Sequence, residues 1–293
     1  MKLIISPWKN EFIKVISKTK KELFVSSPFI DIHGVKILSG AIRRRDSVDF
    51  SIITNLTLDT ILNKITDPSA LLELYKQFQR VKISSLGRLH AKVYLIDGEV
   101  GIITSANLTT GGLINNFEYG VLIDDREMIR SIKEDMQKYY SLGNILDVDI
   151  LKKVCNELGK LQKINDKTEN IFIKNKKLSQ LLRETADSLN LELLKNRIKD
   201  GKTINAIFCD TILYLLKKKG PLSTKEIHPL IQTIHADICD DSVDRVINGQ
   251  HFGKKWKHLV RDAQQSLKKN RLIKLENGKW QLTSKKYEVG NNN

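Results

Sequence analysis

HAKVYLIDGEVGIITSANLTTGGLINNFEYG, residues 90 to 120, carries a histidine, a lysine, an asparagine and a glutamate at spacings that short strands can bring together. A strand sends alternate side chains to opposite faces, so His90, Lys92 and Tyr94 share one side and Ala91, Val93 and Leu95 the other. Asp97-Gly98 has the composition of a tight hairpin turn, and Val100 to Ser105 returns antiparallel to the first run. Asn107 then falls just past the end of that strand. Glu118 opens a third apolar run, Tyr119 to Ile123, which ends at Asp124-Asp125.

Written as H-x-K-x4-D followed by Thr104-Ser105-Ala106-Asn107, the stretch resembles the phospholipase D superfamily, whose signature is H-x-K-x4-D-x6-G-S-x-N. Thr104 stands where that signature has glycine, so a Cβ is present at a place of close backbone approach. The resemblance implies a phospholipase-D-like α/β fold, a mixed sheet flanked by helices, over residues 1 to 145. It also implies a metal-independent phosphodiesterase with no cofactor. His90 would be the nucleophile, forming a covalent phosphohistidine. Lys92 and Asn107 would hold the nonbridging phosphate oxygens, and Glu118 would hydrogen-bond the far ring nitrogen of His90. Asp97 and Ser105 complete the candidate set. Asp97 also fits a turn aspartate that caps its own backbone, and Ser105 either donates to phosphate or shapes the strand end.

The array occurs once. A covalently occupied imidazole cannot also protonate the leaving group, so a second histidine is required. His33, His228, His235, His251 and His258 have no lysine and asparagine beside them to build another half-site. A twofold homodimer that places two copies of His90 at one axis satisfies the requirement with one composite active site.

Charge indicates where such a site is taken. The chain has 293 residues and a formal net charge of +15, enough length for two cores. Residues 1 to 150 carry 20 Lys and Arg against 18 Asp and Glu, whereas residues 151 to 293 carry 29 against 16. That asymmetry is expected of a near-neutral catalytic part joined to a part that grips a polyanion. Arg43-Arg44-Arg45 is a further basic run, readable as a substrate contact or as a charged helix end.

In the first part strands and helices alternate: Leu3 to Ser6, Trp8 to about Lys20, Leu23 to Ser27, His33 to Arg45 and Val48 to Leu56. Helical patterning returns between Leu58 and Phe78, strands follow from Val81, and Arg126 to Tyr140 is amphipathic. Residues 146 to 200 read as polar and helical, a connector or part of the dimer contact. From residue 201 to about 290 the pattern is a small helical unit. Thr203 to Lys218 is stopped by Lys219-Gly220-Pro221, Ser223-x-x-Glu226 opens a second helix toward Ile234, and Lys254 to Asn270 forms a third. A hairpin turns at Asn277-Gly278.

Three helices and a hairpin resemble a winged helix-turn-helix, and the catalytic part resembles that of BfiI-type metal-independent restriction endonucleases, whose recognition domain differs from this winged helix. The expected partner is double-stranded DNA. Lys254, Lys255, Lys257, Arg261, Lys268 and Lys269 on the third helix, and Lys279 on the wing, are the candidate DNA contacts. Trp256, Leu259, Val260, Ala263 and Leu267 recur at helical spacing and read as core.

The function expected is site-directed DNA cleavage, as in a type II restriction or related phage-defence nuclease. A ribonuclease, a lipid phosphodiesterase and a non-catalytic DNA-binding regulator are the alternatives. The three cysteines are too few and too dispersed for a disulfide framework or zinc knuckle. With neither a signal peptide nor a membrane-length apolar run, the expectation is a cytoplasmic protein without membrane contact.

Overall fold

The computed structural model describes residues 1–57, 60–61, 65–167, 180, 184 and 202–283, with side chains omitted over 159–167. The chain divides into two compact units, Met1–Asn196 and Arg197–Asn293.

The first unit is built on a mixed sheet of eight strands: β1 Lys2–Ile5, β2 Glu22–Ser26, β3 Asp49–Thr54, β4 Arg80–Ser85, β5 Val93–Ile96, β6 Val100–Thr104, β7 Tyr119–Ile123 and β8 Asn144–Ile145. Their order across the sheet is β1-β7-β6-β5-β2-β3-β4-β8. Strands β2, β3 and β4 are parallel, and the remaining pairings are antiparallel. This is the α/β class expected from the sequence. Strand alternation sorts the two faces: Tyr94, Ile96 and Ile102 join the larger core, while Val93, Leu95 and Ile123 join a smaller one with Ile129 and Met136.

Helices α1 Lys9–Ile16, α2 Ile32–Ala41, α3 Pro68–Gln77 and α5 Val148–Lys167 contribute to the larger core, and α4 Arg126–Leu142 covers the other face. Three helix starts are set by aspartates whose carboxylates accept first-turn amides: Asp31 from Gly34, Asp67 from Ser69 and Asp125 from Met128. Helix α3 begins at Pro68, where a missing N–H costs nothing. Residues 60 and 61 are also helical, in keeping with the helical reading from Leu58, and residues 58–59 and 62–64 lie outside the described residues.

Residues 146–158 are not a connector. Leu146, Ile150, Leu151 and Val154 are buried in the core of the first unit, and Tyr75 Oη donates to the Leu146 carbonyl at 2.7 Å. A charged outer face made this segment read as free-standing, but its apolar stripe is consumed against α3. Of the rest of the proposed connector, 168–179, 181–183 and 185–200 lie outside the described residues.

In the second unit, α6 Ile204–Lys219, α7 Thr224–Ile234 and α8 Lys255–Lys269 enclose Phe208, Ile212, Ile231, Trp256, Val260 and Leu267. Ser223 and Glu226 form a reciprocal capping box at the start of α7. Buried His235 bonds the Thr211 hydroxyl at 2.6 Å, and that hydroxyl donates to the Ile207 carbonyl, so this histidine serves the core. Strands β11 Ile273–Glu276 and β12 Lys279–Leu282 form the expected hairpin, with positive φ at both Asn277 and Gly278. Leu222 and Trp280 exchange backbone hydrogen bonds of 3.0 and 2.8 Å, which tie this hairpin to the loop before α7. A second hairpin, β9 Asp244–Ile247 and β10 Gln250–Lys254, stands between α7 and α8 and turns at Asn248-Gly249. The sequence reading missed it.

Candidate active site

The C-terminal ends of parallel β2, β3 and β4 define one end of the sheet. Antiparallel β5 begins there, because Val93 pairs with Ser26. His90 and Lys92 precede β5, and a bond from Thr104 N to Lys92 O carries the β5–β6 ladder up to them. His90 is exposed, whereas Lys92 keeps only 7% of its surface. Its ammonium lies 3.1 Å from His90 Nε2 and 3.3 Å from Nδ1, and donates to the His90 carbonyl at 3.0 Å. Burial pushes the Lys92 amine below its ordinary value, and the negative charge of Glu118 acts in the opposite sense.

Glu118 enters from the neighbouring strands. One carboxylate oxygen is bonded by the Ser105 hydroxyl, and the other accepts from Asn116 Nδ2 at 3.1 Å. The expected hydrogen bond from His90 to Glu118 is not among those of the described residues; Ser105 and Asn116 hold the carboxylate instead. Its backbone is fixed from the sheet edge, where Glu118 N donates to Ser6 Oγ at 2.7 Å and Ser6 N to Glu118 O at 3.1 Å. Neither Ser6 nor Asn116 was among the expected site residues. The Asn115-Asn116 pair before Glu118 was the visible sign of one; Ser6 had none.

Asn107 lies in the loop leaving β6, and its Oδ1 is buried without a hydrogen-bond partner among the described residues. That loop is fixed on both sides: Ser27 Oγ accepts from Leu108 N at 2.8 Å, and Asp31 Oδ2 from Thr110 N at 2.7 Å. Glycine is required at Gly34, where a Cβ would stand 2.3 Å from Leu108 O, and at Gly112, where it would stand 2.3 Å from Asn107 O. The group of Asn107 able to donate to a phosphate oxygen is its Nδ2, not this buried oxygen.

Asp97 does not belong to the cluster. It sits at the other end of β5 with φ 52°, and its carboxylate accepts from Lys20 N, Lys21 N and Glu22 N at 2.9, 2.8 and 2.9 Å. It stands at the turn, but the backbone it caps is that of residues 20–22 rather than its own. The Arg43–Arg45 run is likewise at the far end of the sheet, before β3, with Arg45 donating to Gln77 at 2.6 Å.

Of the candidate DNA contacts, Lys255, Arg261, Lys268, Lys269 and Lys279 are exposed. Lys257 Nζ lies 5.4 Å from the centroid of the Trp256 ring. Lys254 precedes α8 and is paired with Asp244 at 2.9 Å, so it is not part of the helix face. Helical spacing puts Lys257, Arg261 and Lys268 on one side of α8. Trp256, Val260, Ala263 and Leu267 are buried, with Leu259 packed beside them.

Residues 12–140, the segment that holds six of the eight strands and His90, Lys92, Asn107 and Glu118, match the model of the family described as "Cardiolipin synthase, PLD-like domain". Among curated proteins, the cardiolipin synthase of Listeria monocytogenes is 27% identical over 139 residues, which is 46% of this chain and 29% of the relative. Cardiolipin synthase A of Buchnera aphidicola is 27% identical over 135 residues, 46% of this chain and 28% of the relative. The chain thus spans under a third of the length of these relatives. Among solved structures, NucT from Helicobacter pylori is 21% identical, with a TM-score of 0.38 over 47% of this chain and 93% of its own. The phospholipase D family member Nuc from Salmonella typhimurium is 18% identical, with a TM-score of 0.40 over 50% and 96%.

Proposed function

We propose that this chain is a metal-independent, phospholipase-D-like endonuclease that hydrolyses DNA phosphodiester bonds as a homodimer. The observation that carries this reading is the nearly buried Lys92 ammonium, 3.1 and 3.3 Å from the two ring nitrogens of exposed His90. A fixed cation beside a nucleophile supplies the phosphate neutralisation that a metal provides elsewhere.

In this reading a His90 ring nitrogen attacks phosphorus, an N–P bond forms and the P–O bond to the leaving sugar breaks. The leaving oxygen takes a proton from His90 of the second copy. Water then cleaves the N–P bond, giving its proton back to that second imidazole and restoring both. Lys92 and the Asn107 side chain hold nonbridging oxygens, and Glu118, fixed by Ser105 and Asn116, sustains the charge of Lys92.

In this reading the second copy docks on the β1 side of the sheet. Leu3, Ile5, Ile103 and Tyr119 are exposed, and their pairings through Val121 and Tyr119 put them on one face of β1, β7 and β6. Phe117 is fully exposed beside Glu118. An apolar face of this kind, continuous with a single half-site, fits an isologous partner. The basic second unit, whose three helices and β11–β12 hairpin fit a winged helix-turn-helix reading, would direct cutting to sites, as in a restriction or phage-defence nuclease. The names of the curated relatives favour a second reading, phosphodiester exchange on a lipid. No helix of the described residues is long and apolar enough to cross a membrane.

Purified protein in EDTA, with His90→Ala beside it, is to be given plasmid DNA, RNA and phosphatidylcholine vesicles. Discrete DNA fragments are expected from the parent and none from the variant. Loss of cutting in EDTA would overturn the metal-free mechanism, and turnover of lipid alone would overturn the nuclease.

A further inference from the structure

The β9–β10 hairpin of the second unit has two unlike faces. Strand pairing joins Ile247 to Gln250 and Val246 to His251, and Phe252-Gly253 bulges opposite Arg245 before Lys254 meets Asp244. One face therefore carries Asp244, Val246 and His251. On it Asp244 takes Lys254 at 2.9 Å and His251 at 3.3 Å, so its charges are satisfied internally. The other face carries Arg245, Ile247, Gln250 and Phe252. All four are exposed, and Arg245 makes no hydrogen bond or ion pair among the described residues.

This ribbon adds little to the core of its unit, since every residue from Arg245 to Gly253 is exposed. Its base is nevertheless well held. Lys255 N donates to Val243 O at 2.9 Å, the His258 ring bonds Phe252 O at 2.8 Å, and Trp256 Nε1 donates to Asp241 at 2.8 Å. Its tip is a two-residue turn with positive φ at both Asn248 and Gly249, which fixes the register of the strands. A rigid, exposed two-stranded ribbon has the dimensions that the major groove of duplex DNA admits.

Its chemistry matches the same occupant. From Asp240 to Arg271 eight lysines and arginines stand against four carboxylates, so the surroundings keep a net positive charge that attracts a polyanion. An arginine suits guanine O6 and N7, a glutamine suits adenine N6 and N7, and Ile247 and Phe252 suit thymine methyl groups. A docking face for another protein would not need this excess of positive charge.

We propose that the Arg245, Ile247, Gln250 and Phe252 face of the β9–β10 hairpin enters the major groove of duplex DNA and reads base edges. The proposal rests on the DNA reading above and assigns specificity to an element outside α8. Phosphate contacts from Lys257, Arg261 and Lys268 position the unit, and the ribbon discriminates sequence.

The test uses full-length His90→Ala protein, which cannot cut its ligand, and a random duplex DNA library from which bound molecules are sequenced. A defined consensus is expected. Arg245→Ala and Gln250→Ala should each erase preference at one or two positions and weaken the selected duplex at least fivefold. Lys257→Ala with Arg261→Ala should weaken all duplexes alike and leave the consensus standing. An unchanged consensus in the hairpin variants, with weakened binding in the α8 variant, would overturn the ribbon and leave DNA as the ligand. Absence of duplex binding by the parent would overturn both readings together. A change of oligomeric state in the hairpin variants would also overturn the proposal, by marking the face as a contact between copies.

Discussion

Thr104 stands opposite Gly120 in the β6–β7 ladder, and the missing Cβ of Gly120 leaves room for the one Thr104 adds. A Cβ on Gly120 would lie 2.6 Å from Ile103 O and 2.8 Å from Thr104 Cβ. The threonine that departs from the family signature is thus accommodated by its neighbour. It also donates to Tyr119 O at 3.1 Å and accepts from Ala106 N at 3.2 Å. Gly120→Ala should cost about 1–3 kcal/mol through overpacking and lower turnover by displacing Glu118. Thr104→Gly should keep turnover within a few-fold. Chemical denaturation and kcat on both variants check the pair, and a fully active, fully stable Gly120→Ala would refute the close fit.

Asp97→Ala separates the structural aspartate from the reacting groups. Three backbone amides lose their acceptor, so the first unit should lose about 1–3 kcal/mol. Turnover per folded molecule, measured well below the melting temperature, should be unchanged. A thousandfold loss of kcat with unaltered stability would return Asp97 to the chemistry.

The rate should fall on the alkaline side at a pH below the ordinary lysine value of 10.5, because burial disfavours the charged form of Lys92. Glu118 works against that burial, so Glu118→Gln should move the alkaline limb to lower pH. Lys92→Arg, which keeps its charge, should abolish the limb at reduced kcat. A pH–rate profile identical in all three proteins would exclude Lys92 as the group responsible.

His228 supplies an acid-side prediction for the second unit. Burial, then the charges of Arg261 and Lys257, push its imidazole from 6.5 down to about 4, and its Nε2 is buried without a hydrogen-bond partner among the described residues. The unfolded chain therefore binds a proton that the folded unit refuses, so stability falls as pH drops from 6.5 toward 4. The loss should amount to about 1–2 kcal/mol, discounted for the half-exposed ring. His228→Gln should flatten the slope. Melting followed by Trp256 and Trp280 emission at several pH values measures it; an equal slope in the variant would exclude His228.

What the sequence disclosed was local. Asp97-Gly98 and Asn277-Gly278 announced hairpins because that composition tolerates two consecutive positive φ values. Ser223-x-x-Glu226 announced a helix start because both capping bonds are made within four residues. The alternation after His90 sorted Lys92 and Tyr94 from Val93 and Leu95. Asn248-Gly249 carried the same turn signal, but its flanking residues form no buried apolar run, since the hairpin is exposed. Ser6 left no trace, its partner Glu118 being 112 residues away. The Glu118 carboxylate was assigned to His90 by analogy, and only the three-dimensional arrangement reveals Ser105 and Asn116 as its holders. The docking of residues 146–158 depends on a complementary groove that no periodicity records.

Strand β1 gives the site a place in time. Its partner, β7, is separated from it by most of the first unit, and Ser6 can hold Glu118 only after the residues between them have been made and β1 has come to lie beside β7. Such a closure is late in any order of assembly, because the chain entropy of the intervening loop must first be removed by other contacts. A nascent polypeptide that ends before Glu118 carries His90 and Lys92 but no carboxylate frame. Only the finished sheet edge brings Ser6 to Glu118 and completes that frame.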